Sequence, residues 1–102
     1  MKVEEVINLI DNTDDLYFTS DAEYLLSKYN VKQVAYGLNS DRHRWYEIVT
    51  DVYKCEDGFV GITGLGQLYS EMMTPSDCDV YCYAEEYEEE QTITYKRKNN
   101  IL

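Results

Sequence analysis

An α+β fold, with two or three N-terminal helices packed on a three- or four-stranded antiparallel sheet, is predicted by three observations. Apolar residues recur at helical spacing through about residue 40, β-branched and aromatic residues take over from Arg44, and glycine or proline turns punctuate the second half of the chain. At 102 residues, 44% of them apolar, the chain has the length and hydrophobicity of one folded domain, mainly helical over 1–40 and sheet over 44–98.

Val3, Val6, Ile7 and Ile10 define the first helix, which Asp11-Asn12-Thr13-Asp14 ends with turn-forming residues. Ser20 and Glu23 have capping-box spacing ahead of Tyr24, Leu25 and Leu26, so a second helix is expected from Asp21 to Tyr29. Asn30 is then expected to cap a short third helix with Val31, Val34, Ala35 and Leu38 on one face, Gly37 near its end and Asn39-Ser40-Asp41 as the exit.

Trp45, Tyr46, Ile48, Val49, Val52 and Tyr53 form the first expected strand. Glu56-Asp57-Gly58 supplies a tight turn into Phe59-Val60-Gly61-Ile62-Thr63, giving a hairpin. Beyond the break at Thr74-Pro75-Ser76-Asp77, residues Tyr81, Tyr83, Glu85, Tyr87 and Glu89 alternate onto one face of an extended segment, and Gln91 to Arg97 is read as the closing strand.

Charge divides the chain more sharply than any linker. Residues 1–54 hold 10 acids and 6 bases, whereas 55–95 hold 10 acids and no Lys, Arg or His, within a net charge of -11. Such a one-signed field adds self-repulsion without stabilising the fold, so it speaks about partners. Membranes and free nucleic acid are anionic and so are poor partners unless a local basic patch overrides the charge; direct DNA binding is not expected. The cluster Lys96-Arg97-Lys98 reads as a solvated tail. Glu4 and Glu5 interrupt any early apolar run, no stretch has the length of a membrane span, and three cysteines suit a reducing cytoplasm better than a disulfide framework.

Chemical motifs are absent. Gly61, Gly64 and Gly66 give G-x-x-G-x-G with no following Lys-Ser/Thr, which meets neither nucleotide-binding pattern, and these glycines are read as relieving crowding or forming a bulge. Cys78 and Cys82 form a single pair, with Cys55 and His43 as distant additions, and read as buried thiols instead of metal ligands. His43 is the only imidazole. Arg42 and Arg44 beside it disfavour its protonated form and fit phosphate contact better than a catalytic triad. No catalytic residue, cofactor or metal is assigned.

The acids have a scale. Five carboxylates over Glu85–Glu90 extend across about 20 Å, or one per roughly 4 Å at a rise of about 3.4 Å per residue. That spacing matches one nucleic-acid strand, at about one charge per 3.4 Å, and not the duplex at one per 1.7 Å. A second row would need Asp77 and Asp79, or Glu56-Asp57, beside the first. The partner-binding residues expected are therefore Asp77, Asp79, Glu85, Glu86, Glu88, Glu89 and Glu90, with Tyr81, Tyr83 and Tyr87 as packing contacts. The structural reading of those tyrosines is a sheet face covered by the helices, with the acids on the solvated face.

The stretches R-W-Y-E-I-V-T-D-V-Y-K, G-F-V-G-I-T-G, L-Y-S-E-M-M and A-E-E-Y-E-E-E-Q-T-I-T-Y-K-R-K lie between Arg44 and Lys98, just over half the chain. In texture they resemble small acidic proteins of phages and bacterial mobile elements, among them the anti-CRISPR inhibitors. The resemblance implies a non-enzymatic, stoichiometric protein of the bacterial cytoplasm. Its implied partner is a basic nucleic-acid-binding protein, above all an RNA-guided nuclease of type II whose DNA-reading arginines the glutamates would engage. Other DNA-binding host proteins, such as a restriction enzyme or repressor, and a phage structural or assembly role remain alternatives. Oligomeric state is open.

Overall fold

The computed structural model describes residues 1–90 and residue 98. Two helices, α1 (Val3–Asp11) and α2 (Thr19–Ser27), precede four strands, β1 (Lys32–Arg42), β2 (Tyr46–Lys54), β3 (Phe59–Leu68) and β4 (Tyr83–Tyr87), with a short 3-10 turn at Pro75–Cys78. All neighbouring strands are antiparallel and the sheet order is β1-β2-β3-β4. The expected closing strand, Gln91 to Arg97, lies outside the described residues.

Both helices lie on one sheet face. Val3, Val6 and Ile10 from α1 and Ala22 and Leu26 from α2 join Tyr53, Val60, Ile62 and Ala84 in one core. Burying each Val, Leu or Ile stabilises by about 1.5–3 kcal/mol, so this stripe accounts for the docking of helices too short to persist alone. The second face carries Thr50, Val52, Gly61, Thr63 and Tyr87, as strand alternation and register require. Thr50 and Thr63 are bonded across the strands at 2.7 Å. The predicted hairpin is present as β2 and β3, its turn closed by the Cys55 amide donating to the Gly58 carbonyl at 2.8 Å.

Three local expectations are corrected. The capping box at Ser20 is not made: Phe18 is the N-cap and the helix starts at Thr19. The cause is tertiary, since Phe18 bridges to Leu65 and the Thr19 hydroxyl donates to the Leu65 carbonyl at 3.4 Å, fixing the helix entry two residues early. Nor does Asn30 begin a third helix. It adopts φ +59°, and the Asn30 and Val31 amides donate to the Ser27 and Leu26 carbonyls, the paired bonds of a Schellman motif that ends α2 and places Val31 in the core.

The segment expected as that third helix is strand β1. Its apolar spacing arises from bulges: Ala35, Leu38 and Asp41 pair with Val52, Thr50 and Ile48, so β1 uses three residues for each two of β2. One face therefore returns every third residue, close to the period of a helix. Gly37, at φ +67°, accommodates one of these irregularities, and its amide is held by Oδ1 of the buried Asp51 at 2.9 Å.

Candidate partner-binding surface at the acidic end of the sheet

β4 packs into the sheet through Ala84 on one face and Tyr87 on the other. Ala84 is buried toward α1, and Tyr87 lies across Gly61, where an added Cβ would collide with its ring. That close approach explains why β3 carries glycine there. Pairing of Phe59 with Tyr87 then sets two aromatic side chains next to each other at the end of the sheet.

The same end receives the β2–β3 turn. A groove of about 560 Å³ is lined by Asp57, Gly58, Phe59, Glu86, Tyr87, Glu88 and Glu89. Across the second sheet face, another groove is lined by Val34, Ala35, Leu38, Val52, Lys54, Phe59, Tyr87 and Glu88, Glu89 and Glu90. Phe59 and Tyr87 contribute to both, so carboxylates rim a shared aromatic floor. Among the described residues, no Lys or Arg lies within ion-pair distance of any carboxylate.

Two acids of this end also serve the fold. Asp57 Oδ1 accepts the Val3 amide at 2.8 Å, and Glu56 lies 3.7 Å from the Met1 amine. A carboxylate facing the unsatisfied amides and positive dipole end of α1 is stabilising. Through this bond the helix fixes the turn, and the turn fixes the second row of charge.

Of the ten residues expected at the surface, all but Tyr83 divide into two groups. Glu85, Glu86, Glu88, Glu89 and Glu90 are exposed and stay together with the half-buried Tyr87. Asp77 and Asp79 precede β4 and so leave the strand by its opposite end, as does Tyr81. Asp77 accepts the Thr74 amide at 2.8 Å and the Thr74 hydroxyl at 3.0 Å, which hold its carboxyl below the usual range. Asp79 ends the 3-10 turn in the left-handed region. The row that joins Glu86–Glu89 is thus the Glu56–Asp57 turn.

The tyrosines do not face the helices. Tyr83 is exposed on the side opposite Ala84, and Tyr81 packs on Tyr17 with ring centroids 4.9 Å apart. Tyr81 also lines a groove with Asp11, Asp14 and Asp15, acids of the first half that the linear charge map passed over. The signal was available only through folding: the Cys82 amide donates to the Leu16 carbonyl at 2.8 Å, drawing residues 11–16 beside the start of β4.

Cys55, Cys78 and Cys82 are free and buried. Burial, reinforced by Asp21 and Asp51, pushes the Cys82 thiol up to about 12. Among the described residues no group of three His, Cys, Asp or Glu is placed to hold a metal, and no helix is long and apolar enough to cross a membrane. His43 lies in the β1–β2 turn, its Nε2 3.1 Å from Asp41 and its ring stacked on Tyr46.

Comparison of the chain with protein-family models, curated proteins and solved structures found no match in any of the three.

Proposed function

We propose that this protein is a non-enzymatic inhibitor that occupies the basic nucleic-acid-binding surface of an RNA-guided nuclease, of the type II single-protein kind, in the manner of an anti-CRISPR protein. The observation that carries this reading is the convergence of Asp57, Glu86, Glu88 and Glu89 around Phe59 and Tyr87. Carboxylates at strand spacing offer acceptors to arginines that otherwise grip DNA, and the flanking rings offer stacking surfaces to the same guanidinium groups. A charge-assisted hydrogen bond contributes about 1.5–3 kcal/mol, so two or three such pairs set the difference between a weak encounter and a stable complex.

A cleavage assay with a panel of purified type II effectors tests the proposal. Preincubation with excess protein is expected to block target cutting by at least one effector, in competition with target DNA. The variant E86K/E88K/E89K is expected to lose inhibition by about 100-fold or more, since 100-fold corresponds to about 2.7 kcal/mol and two such pairs supply about 3–6 kcal/mol. Unchanged cutting across the panel, or inhibition indifferent to both charge reversal and salt, overturns it.

A further inference from the structure

The turn between β1 and β2 is the chemical opposite of the acidic end. Arg42 lies over the Tyr69 ring at 4.5 Å, Arg44 over Trp45 at 4.7 Å, and His43 is stacked on Tyr46 at 4.7 Å. Each cationic or titratable side chain of the turn therefore rests on an aromatic ring. The arrangement is held by backbone bonds, with the His43 amide donating to the Tyr46 carbonyl at 2.8 Å and the Tyr69 amide to the Trp45 carbonyl at 2.7 Å.

The two guanidinium groups keep their donors available. The nearby acids are engaged elsewhere: Asp41 meets His43 at 3.1 Å, and Glu47 accepts the Ser40 hydroxyl at 2.9 Å. Neither arginine forms an ion pair among the described residues, in a chain with 20 acids. Stacking fixes the plane of a guanidinium while leaving its N–H edge outward, the geometry that grips a phosphate. Trp45 is 44% exposed even with Arg44 over its ring, so part of its surface is open to a ligand.

We propose that this turn is a binding site for single-stranded nucleic acid, Arg42 and Arg44 holding phosphates while Trp45 stacks a base. Base-on-aromatic stacking contacts and arginine-to-phosphate contacts are the two components of such sites. The net charge of -11 does not forbid it. β2 separates the turn from the acidic end by about 27 Å at roughly 3.4 Å per residue, and the Debye length at physiological salt is about 8 Å. The acids of that end are thus screened from a ligand held at the turn, which leaves Asp41 and Glu47, engaged by His43 and Ser40, as its near carboxylates. The site does not depend on the inhibitor reading, and each can fail without the other.

Trp45 is the sole tryptophan, so its fluorescence reports on the site directly. Titration of the whole chain with a ten-nucleotide oligothymidylate and, separately, oligouridylate is expected to quench it. Two phosphate contacts give a logarithmic salt slope of about -1.4, or roughly sevenfold weaker binding between 50 and 200 mM salt. Both R42E/R44E and the milder R42Q/R44Q, checked for native circular dichroism, are expected to bind at least tenfold more weakly. DNA and RNA arms of equal affinity assign the site to the shared phosphate and base; preference for uridine assigns it to RNA. No quenching by either oligonucleotide, unchanged affinity in a folded double variant, or equal quenching by polyglutamate overturns the proposal, the last by making the turn a receptor for acidic protein surfaces.

Discussion

The two ends of β2 handle charge in opposite ways. At Tyr46 the chain turns through Arg42, His43 and Arg44, and rings cover each of them. At Lys54 it turns through Glu56 and Asp57 toward Glu86–Glu89, and the carboxylates there surround an aromatic floor while extending into solvent. A cation gains from lying on a ring face and an anion does not, because the face of the ring is the negative part of its quadrupole. Aromatic residues thus immobilise the charge at one end and leave it available at the other. In the two functions proposed, the exposed carboxylates would meet arginines of a folded partner, and the planar, stacked cations would meet a flat ligand.

The core between them sets the scale on which perturbations of either end are judged. Cys82 is held neutral in the fold, with its thiol raised from 9.0 to about 12. Its folded pKa lies above the unfolded one, so above about pH 9 the unfolded chain gives up a proton that the folded chain keeps. Stability is expected to fall as pH rises from there toward 12, with a limiting slope of about 1.4 kcal/mol per pH unit from this group. Denaturant titrations at stepped alkaline pH should show a fall at least that steep, because burial also raises the Tyr53 hydroxyl and the Cys55 and Cys78 thiols, and C82A should make it shallower by the share of this one group.

The next largest effect separates the ends. Gly61→Val forces the Tyr87 ring off β3, costing about 1–3 kcal/mol as overpacked sites do. It should disorder the acidic end, with faster amide exchange at Glu85–Tyr87, while Trp45 fluorescence stays native. A spectral change at Trp45 would mean that the ends are coupled through the sheet. Asp57→Ala is expected to cost about 1 kcal/mol, the usual contribution of a helix N-terminal acceptor, and to increase amide exchange of Val3. Arg44→Ala should cost no more than about 0.5–1 kcal/mol, the range for an exposed cation over a ring. Its signature is an altered Trp45 emission with little change in the denaturation midpoint.

The hairpin of β2 and β3 was legible because its pattern is local: alternating strand formers on either side of Gly58. The first helix was legible for the same reason, its stripe of Val3, Val6 and Ile10 being a property of consecutive turns. β1 was not, because a strand that bulges at every second pair writes a helical period into the sequence. The start of α2 was missed where Leu65, 46 residues away, overrode the local capping signal of Ser20. At the acidic surface, the run Glu85–Glu90 could be read directly. Its companion row could not, since the choice between Asp77–Asp79 and Glu56–Asp57 depends on which turn meets the end of β4 and on the Val3 amide that anchors Asp57.

The uneven pairing of β1 also separates chain length from register. Where three residues face two, one of the three can be lost and the remaining pairs restored without turning any downstream side chain to the other face. Between Gln33 and Asp41 the protein therefore contains several positions at which a single-residue deletion shortens the edge and leaves the Arg42–Trp45 turn in place. For a gene that changes by insertion and deletion as well as by substitution, β1 is the stretch of sheet best able to absorb the change.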